Sequence, residues 1–355
     1  MKRPSGNKYT AIGVMSGTSL DGLDIAAVDF FETNGKWDFK PGATETIEYE
    51  PIWKNRLKNA PSISGEKLIQ LHADFGSFIG KEVNRFLKNH PVKPMLIASH
   101  GHTIFHQPEN NFTFQAGCGH AIAAETNVLT IADFRSGDVA LGGQGAPLVP
   151  VGDRLLFADY ENCLNLGGFA NISFERHNQR IAFDVCPANL ILNWFAAQKG
   201  LAFDDEGKLG RKGKIKTDLL EQLNALPFYR LLPPKSLGRE WLENEFLPVV
   251  IQSHHSFDDK LRTVYEHIAI QIANSFGASG KILVTGGGAL NSFFVERIKK
   301  HTTSTIEIPD KQIINYKEAL LFAFLGVLRL RNEINCLASV TGAKRDSSAG
   351  VIFQP

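Results

Sequence analysis

Residues 11–30 read AIGVMSGTSLDGLDIAAVDF. An apolar run, Ala11 to Met15, leads into Ser16-Gly17-Thr18-Ser19-Leu20-Asp21-Gly22, and a second apolar run, Leu23 to Phe30, leaves it. Two strand-like runs joined by a turn of Gly, Ser, Thr and Asp predict a β-hairpin. Its tip combines glycines, consecutive backbone N–H donors, hydroxyls and one carboxylate. Glycine lets a backbone approach a ligand closely, and successive N–H groups in a turn form an anion-binding concavity. Asp21 is placed to hold a divalent cation, directly or through water, beside a bound phosphate. An ordinary solvated turn has the same composition, so the rest of the chain must decide.

A chain of 355 residues exceeds one compact core of usual size, which predicts two domains or lobes. With 43% hydrophobic and 21% charged residues it reads as an ordinary globular protein. A net charge of +1 offers no basic field for nucleic acid. No apolar run approaches bilayer-spanning length, so no membrane partner is expected. The basic N-terminus MKRPSGNKYT lacks the apolar segment of a secretory signal. Cys118, Cys163, Cys186 and Cys336 are scattered without paired spacing, as for reduced thiols in the cytoplasm.

Thr44 to Tyr49 is a candidate third strand. From Ser64, a candidate N-cap, to Asn89 the residues Leu68, Leu71, Phe75, Phe78 and Ile79 recur at helical steps. Pro91 to Pro94 ends that helix, and Met95 to Ala98 is a short buried strand, giving β-β-β-α-β. SHGHTIFH at 99–106 follows at the strand's C-terminal end, where open α/β sheets bind ligands. Ser99, His100 and Thr103 are therefore substrate-binding candidates. His100, His102, His106 and His120 are alternatively metal ligands, although no carboxylate or Cys completes a zinc spacing, and a packed turn is the third reading.

Residues 128–150, VLTIADFRSGDVALGGQGAPLVP, form a second dense region. Arg135 offers a planar donor fork for a carboxylate or phosphate. Asp138 and Gln144 can bind sugar hydroxyls or amides; alternatively Asp133, Arg135 and Asp138 form a network that holds the loop. CLNLGGFANISF at 163–174 is again strand, glycine turn (Gly167, Gly168) and strand, an echo of the opening hairpin expected of a duplicated domain. Arg180 to Phe183 is a strand ending at Asp184, before a helix over 187–198. A carboxylate there is either an N-cap or a general base within reach of a bound hydroxyl or water. Residues 203–214 read as an exposed polar loop. A helix over 258–276 and a buried strand over 281–285 precede Gly286-Gly287-Gly288, which turns the chain into a helix over 292–300. The spacing fails as a dinucleotide fingerprint. A strand over 305–308 and a helix over 316–331, bearing Glu318, close the chain.

Together these pieces predict an α/β chain with a two-lobed actin-like (ribonuclease-H-like) ATPase fold, each lobe a mixed five-stranded sheet with helices. The lobes are expected over 1–130 and 131–355, with the active site in the cleft between them. Both hairpin tips would embrace the ATP phosphates, with Gly286 to Gly288 beside the nucleoside.

The motifs MSGTSLDGLD (15–24), SHGHT (99–103), ADFRSGDVALGGQGAPLVP (132–150), NLGGFANIS (165–173), SLGRE (236–240), VTGGGALN (284–291) and VTGA (340–343) resemble those of the anhydro-N-acetylmuramic acid kinase family across nearly the whole chain. That resemblance implies a cytoplasmic homodimer that uses ATP, Mg²⁺ and water to convert 1,6-anhydro-N-acetylmuramate into N-acetylmuramate 6-phosphate and ADP, in peptidoglycan recycling. It puts the water-activating base on Asp184 in FDVCPAN, where Cys186 and Ala188 replace the family's glycines. If those two positions line the phosphate path, backbone approach is tighter here. Arg135 is chemically suited to the lactyl carboxylate. The alternatives are an ordinary N-acetylhexosamine kinase, a nucleotide-switched actin-like interaction protein, and a metal-dependent hydrolase built on the histidines.

Overall fold

The opening hairpin forms as read: β1 (Asn7–Ser16) pairs antiparallel with β2 (Gly22–Thr33), from Asn7 opposite Glu32 to Ser16 opposite Leu23. The computed structural model describes residues 7–355, so the first six residues of the basic N-terminus lie outside the described residues. β1 is buried continuously from Ala11 to Val14, as a strand covered on both faces must be. β3 (Lys36–Glu48) continues the meander and starts before the expected Thr44, because its alternating half-buried pattern lacks the apolar run that marks the inner strands. After α1 (Pro51–Asn59), α2 (Gly65–Asn89) is capped by Ser64, whose Oγ accepts from the Lys67 N–H, and it buries Leu71, Phe75, Ile79, Val83 and Phe86.

β4 (Leu96–Gln107) lies parallel to β1 and corrects one expectation. The strand does not stop at Ala98; it runs through SHGHT and pairs antiparallel with β5 (Phe112–Ala116). Gly101 sits within it at φ +72°, a conformation that side chains other than glycine rarely take. Beyond α3 (Gly119–Thr126), β6 (Thr130–Ala132) joins β4 in parallel, and the C-terminal β12 (Val351–Phe353) closes that edge antiparallel. The first sheet thus has seven strands, the expected five (β3-β2-β1-β4-β6) plus β5 and β12. Helices α4 (Ser136–Ala140) and α5 (Pro150–Leu156) follow β6.

The second sheet repeats the plan. β7 (Asn162–Leu166), β8 (Phe169–Arg176) and β9 (Gln179–Pro187) form an antiparallel meander; β10 (Lys281–Thr285) lies parallel to β7, and β11 (Thr305–Glu307) parallel to β10. The order β9-β8-β7-β10-β11 matches β3-β2-β1-β4-β6 in sequence of neighbours and in strand direction. The echo between the two glycine hairpins is therefore architectural. Its helices are α6 (Asn189–Ala197), α7 (Thr217–Asn224), α8 (Arg239–Trp241), α9 (Leu247–Gln252), α10 (Phe257–Ser275) and α11 (Ser292–Lys300).

Contacts divide the chain into residues 1–156 with 316–355, and residues 157–315. This differs from the expected boundary at 130/131 for a definite reason. β6 is the fifth strand of the first sheet, and the C-terminal segment returns to that sheet through α12 (Lys311–Leu330), α13 (Ala338–Thr341) and β12. α12 lies so close on β1 that a Cβ at Gly13 would stand 1.7 Å from the Ala319 carbonyl oxygen. The core of the first unit gathers Ile12, Leu23, Phe75, Ile79 and Phe86; that of the second gathers Leu164, Ile172, Phe195, Ile268 and Phe294.

The 203–214 segment is not the wholly exposed loop expected of its composition. Asp204 is buried and accepts from the Leu209 and Gly210 N–H groups and from the Tyr265 hydroxyl, pinning the loop to α10. Among the described residues no helix is long and apolar enough to cross a membrane.

Candidate active site

In the second unit, β7 and β10 end side by side and everything polar at that end follows from their register. Gly167 and Gly168 form the hairpin tip between β7 and β8. Their carbonyls accept from Ala188, Asn189 and Leu190 at the start of α6, stapling the tip to that helix. Gly286, after β10, has φ +80°, and a Cβ there would meet Asn165 Oδ1 at 2.5 Å. Gly287 is exposed, and a Cβ there would meet only Asn189 Nδ2, at 3.8 Å. The tip, the strand end and the Gly286–Gly288 turn therefore occupy one locality, at the carboxyl ends of parallel strands where such sheets bind ligands.

Asp184 is near the end of β9, where the β8–β9 register shifts: Asn171 faces Asp184 while Ala170 faces Cys186. Val185 is thus an extra residue, and a bulge of this kind re-aims the side chain beside it. The Leu237 N–H donates to Asp184 Oδ2 at 2.9 Å, and the Asp184 N–H donates to the Lys235 carbonyl. The SLGRE turn is what holds this carboxylate, a pairing across 53 residues that no local pattern announces. Oδ1 makes no hydrogen bond among the described residues. Desolvation raises the Asp184 carboxyl above its ordinary 3.8, against the lowering effect of the Leu237 N–H. A half-buried carboxylate of raised basicity, anchored by one oxygen, can take a proton from a bound water or hydroxyl. Cys186 and Ala188, by contrast, are fully buried, and Cys186 Sγ points toward the Ile268 carbonyl of α10. Their side chains belong to the core of the second unit.

In the first unit the tip is built from Gly17 to Asp21. Leu20 takes φ +60° and its N–H closes a turn onto the Gly17 carbonyl at 3.2 Å. Thr18, Ser19 and Asp21 are exposed, and the Thr18 and Ser19 N–H groups have no acceptor among the described residues. Gly22 is buried against the Ile47 carbonyl, at the start of β2. Ser16 differs from its expected role. It is buried, receives the Tyr49 hydroxyl at 2.6 Å and bonds His102 Nδ1 at 2.9 Å, so its side chain belongs to the hairpin's support. Half-buried Asp24, bonded by Thr46, is raised by desolvation, with Asp21 adding to the effect.

The expected substrate residues separate into two sets. Ser99 and Asp138 have no exposed surface, which corrects both assignments. Ser99 Oγ accepts from the Gly101 N–H. Asp138 accepts from the Gly145 N–H at 2.7 Å, the Thr341 hydroxyl at 2.8 Å and the Cys336 thiol at 3.0 Å. It ties the GGQG loop to the VTGA segment, a loop-holding duty that Arg135 shares through the Gly145 carbonyl. His100 is buried too: Nδ1 lies 2.9 Å from the Gly101 carbonyl, which fixes the proton there, and Nε2 accepts from Arg135 Nε at 3.0 Å. Burial first and the Arg135 charge second hold its pKa well below the ordinary value, so it stays neutral. Arg135 also donates to the Gly145 carbonyl at 2.6 Å, leaving Nη2 without a partner among the described residues. Thr103 is half-buried and Gln144 is exposed, both with free side-chain polar groups.

His102 and His106 are committed to Ser16 and Thr113, and His120 stacks edge-on against Phe353. The four histidines do not form a metal centre; the one group of three ligand-bearing side chains close enough to do so, among the described residues, lies elsewhere. Glu318 on α12, left without a role by the sequence, feels the charges of both Arg135 and Asp24. Desolvation raises its carboxyl, Arg135 opposes this, and Asp24 adds to it. Its signal was a lone acid in the apolar run ALLFAFLGVL that follows it.

Two sheets of the same order, each with a glycine-tipped hairpin on its central strand, define the actin-like fold. A sequence profile described as anhydro-N-acetylmuramic acid kinase matches residues 9–355. Proteins of that name from Mannheimia succiniciproducens and Actinobacillus pleuropneumoniae are 37% and 35% identical, covering 98% of this chain and 99% of their own length in each case. The chain belongs to the anhydro-N-acetylmuramic acid kinase family, and it is a kinase that transfers phosphate to an alcohol group. Among solved structures, ligand-bound xylulose kinase from Lactobacillus acidophilus superposes with TM-score 0.48 at 11% identity, covering 98% of this chain and 94% of that one.

Proposed function

We propose that the chain opens 1,6-anhydro-N-acetylmuramate with water and phosphorylates O6 with ATP, releasing N-acetylmuramate 6-phosphate and ADP during peptidoglycan recycling in the cytoplasm. The observation that carries this reading is Asp184. Its Oδ2 is fixed by the Leu237 N–H and its Oδ1 is free, and its carboxyl is raised by desolvation, in a chain of this family. Asp184 takes the proton of a water as that water attacks the anomeric carbon. The bond from that carbon to the bridging oxygen breaks, and the freed O6 receives the γ-phosphoryl group.

Phosphoryl transfer is mainly positioning and electrostatics. Glycine turns and free N–H groups at Gly17–Gly22, Gly167–Gly168 and Gly286–Gly288 fit a polyphosphate. Ser16 contributes by bracing the first tip. Asp21, an exposed oxygen donor beside those amides, fits a hydrated Mg²⁺, which would neutralise phosphate charge. Arg135, with Nη2 free and its plane set by His100 and Gly145, fits the lactyl carboxylate. Thr103 and Gln144 offer hydrogen bonds to the amide and hydroxyls. Family resemblance also favours a homodimer.

ADP release tests the reading. It is expected with 1,6-anhydro-N-acetylmuramate and absent with plain N-acetylated hexosamines. Phosphorylation only of the latter would make the chain an ordinary sugar kinase, and ATP binding without turnover on either would make it a nucleotide-switched interaction protein.

A further inference from the structure

We propose that Asp218, His254 and His255 form a transition-metal site on the second unit, of the donor set that Zn²⁺ takes, outside the nucleotide and sugar machinery. The three ligand-bearing atoms lie within 4.8 Å of one another. Asp218 stands in the first turn of α7, and the two histidines lie in the SHHS loop (253–256) between α9 and α10. His255 Nε2 sits between the carboxylate oxygens of Asp218, at 2.8 and 2.9 Å. His254 is exposed, its ring 4.1 Å from that of His255, and it has no hydrogen-bonding partner among the described residues.

The donor set decides the class of ion. Two imidazoles and a carboxylate suit Zn²⁺ and its neighbours, whereas Mg²⁺ and Ca²⁺ require oxygen. Ligand atoms sharing a tetrahedral ion at about 2.0–2.1 Å stand roughly 3.3–3.5 Å apart. The His255–Asp218 pair has only to open slightly, and His254 to close by side-chain rotation. Binding replaces the Nε2–H···O bond with a metal–nitrogen bond, and the neutral imidazole keeps its one proton by transferring it from Nε2 to Nδ1 through solvent. Water would complete the coordination on the exposed side.

The backbone beneath is anchored by buried side chains. Leu219 and Leu223 of α7 pack in the same buried cluster as Leu261 and Val264 of α10. A bound ion would therefore cross-link the start of α7 to the α9–α10 connection. That buried cluster also reaches Leu166 and Val185 beside the glycine tip and Asp184, but Asp218 and His255 bond to each other and not to Asp184 or the glycine turns.

The test uses the full chain without a polyhistidine tag, stripped with chelator and titrated with Zn²⁺ by calorimetry, and with Co²⁺ by visible absorption. One saturable equivalent is expected, with cobalt d–d bands from nitrogen and oxygen ligands. Affinity should fall at least about tenfold in both Asp218→Asn and His254→Ala, while metal-free kinase activity and far-ultraviolet circular dichroism stay at the wild-type level. Absence of a saturable equivalent in the wild type would overturn the proposal, as would equal affinity in the Asp218→Asn/His254→Ala double variant.

Discussion

A carboxylate works as a base at an active site when one oxygen is held, the other is free and desolvation has raised its proton affinity. Asp184 meets these conditions through Leu237 and through its place on a bulge. Asp184→Asn keeps the size and the Leu237 hydrogen bond but cannot take a proton. Turnover should fall by about 10²–10⁴-fold with nucleotide affinity unchanged, read by ADP release and by nucleotide titration. Undiminished turnover would remove Asp184 from the base role. Because its carboxyl is raised from 3.8, the wild-type rate should decline on acidification at a pH above that value. Arg135 shows a second kind of residue-scale design: a neutral histidine, fixed in tautomer by a carbonyl, orients the guanidinium and leaves Nη2 unbonded among the described residues.

At the scale of elements, the hairpins were legible because glycine-rich tips interrupt apolar runs, and β10, α2 and α11 because their periodicity is uninterrupted. β4 was cut short because Ser99, His100 and His102 look like loop residues. They are buried in a strand, two of them satisfied by partners distant in sequence: Ser16 for His102, and Arg135 for His100. The same long-range pairing hid the structural duty of Asp138, whose partners Cys336 and Thr341 lie some 200 residues on. Close approach of α12 to β1 was likewise invisible, although Gly13 was read as part of the strand. Gly13→Ala would drive a methyl to 1.7 Å from the Ala319 carbonyl, and relief requires moving a whole helix. Such overpacking costs about 1–3 kcal/mol or more. A clear fall in thermal midpoint is expected by calorimetry, against little change in Gly65→Ala, where open space surrounds the added carbon. An unchanged midpoint in Gly13→Ala would mean that α12 is not seated on β1 as described.

Over the whole molecule, duplication gives each unit its own sheet, glycine tip and core, and each core also encloses a neutral histidine. His102 in the first unit is depressed by burial to about 4, and His267 in the second to about 3. His267 has no exposed surface and lies 2.7 Å from Asn224 Oδ1 and 2.9 Å from the Tyr229 hydroxyl, with the Phe246 and Tyr229 rings against it. Between the unfolded value near 6.5 and the folded value of about 3, the unfolded chain binds a proton that the folded chain refuses. Stability must then fall as pH drops through that window, by up to about 1.4 kcal/mol per pH unit for one histidine. The raised carboxyls of Asp24, Asp184 and Glu318 act in the opposite sense, since the folded chain takes up their protons first. The histidine contribution is therefore isolated by comparison with His267→Gln, which supplies an amide donor and acceptor for Tyr229 and Asn224 but does not titrate. Urea unfolding measured from pH 6.5 down to 4.5 should show a shallower loss of stability in the variant than in the wild type. Identical slopes would mean that His267 is protonated in the folded state and that its burial is less complete than the packing of α10 requires.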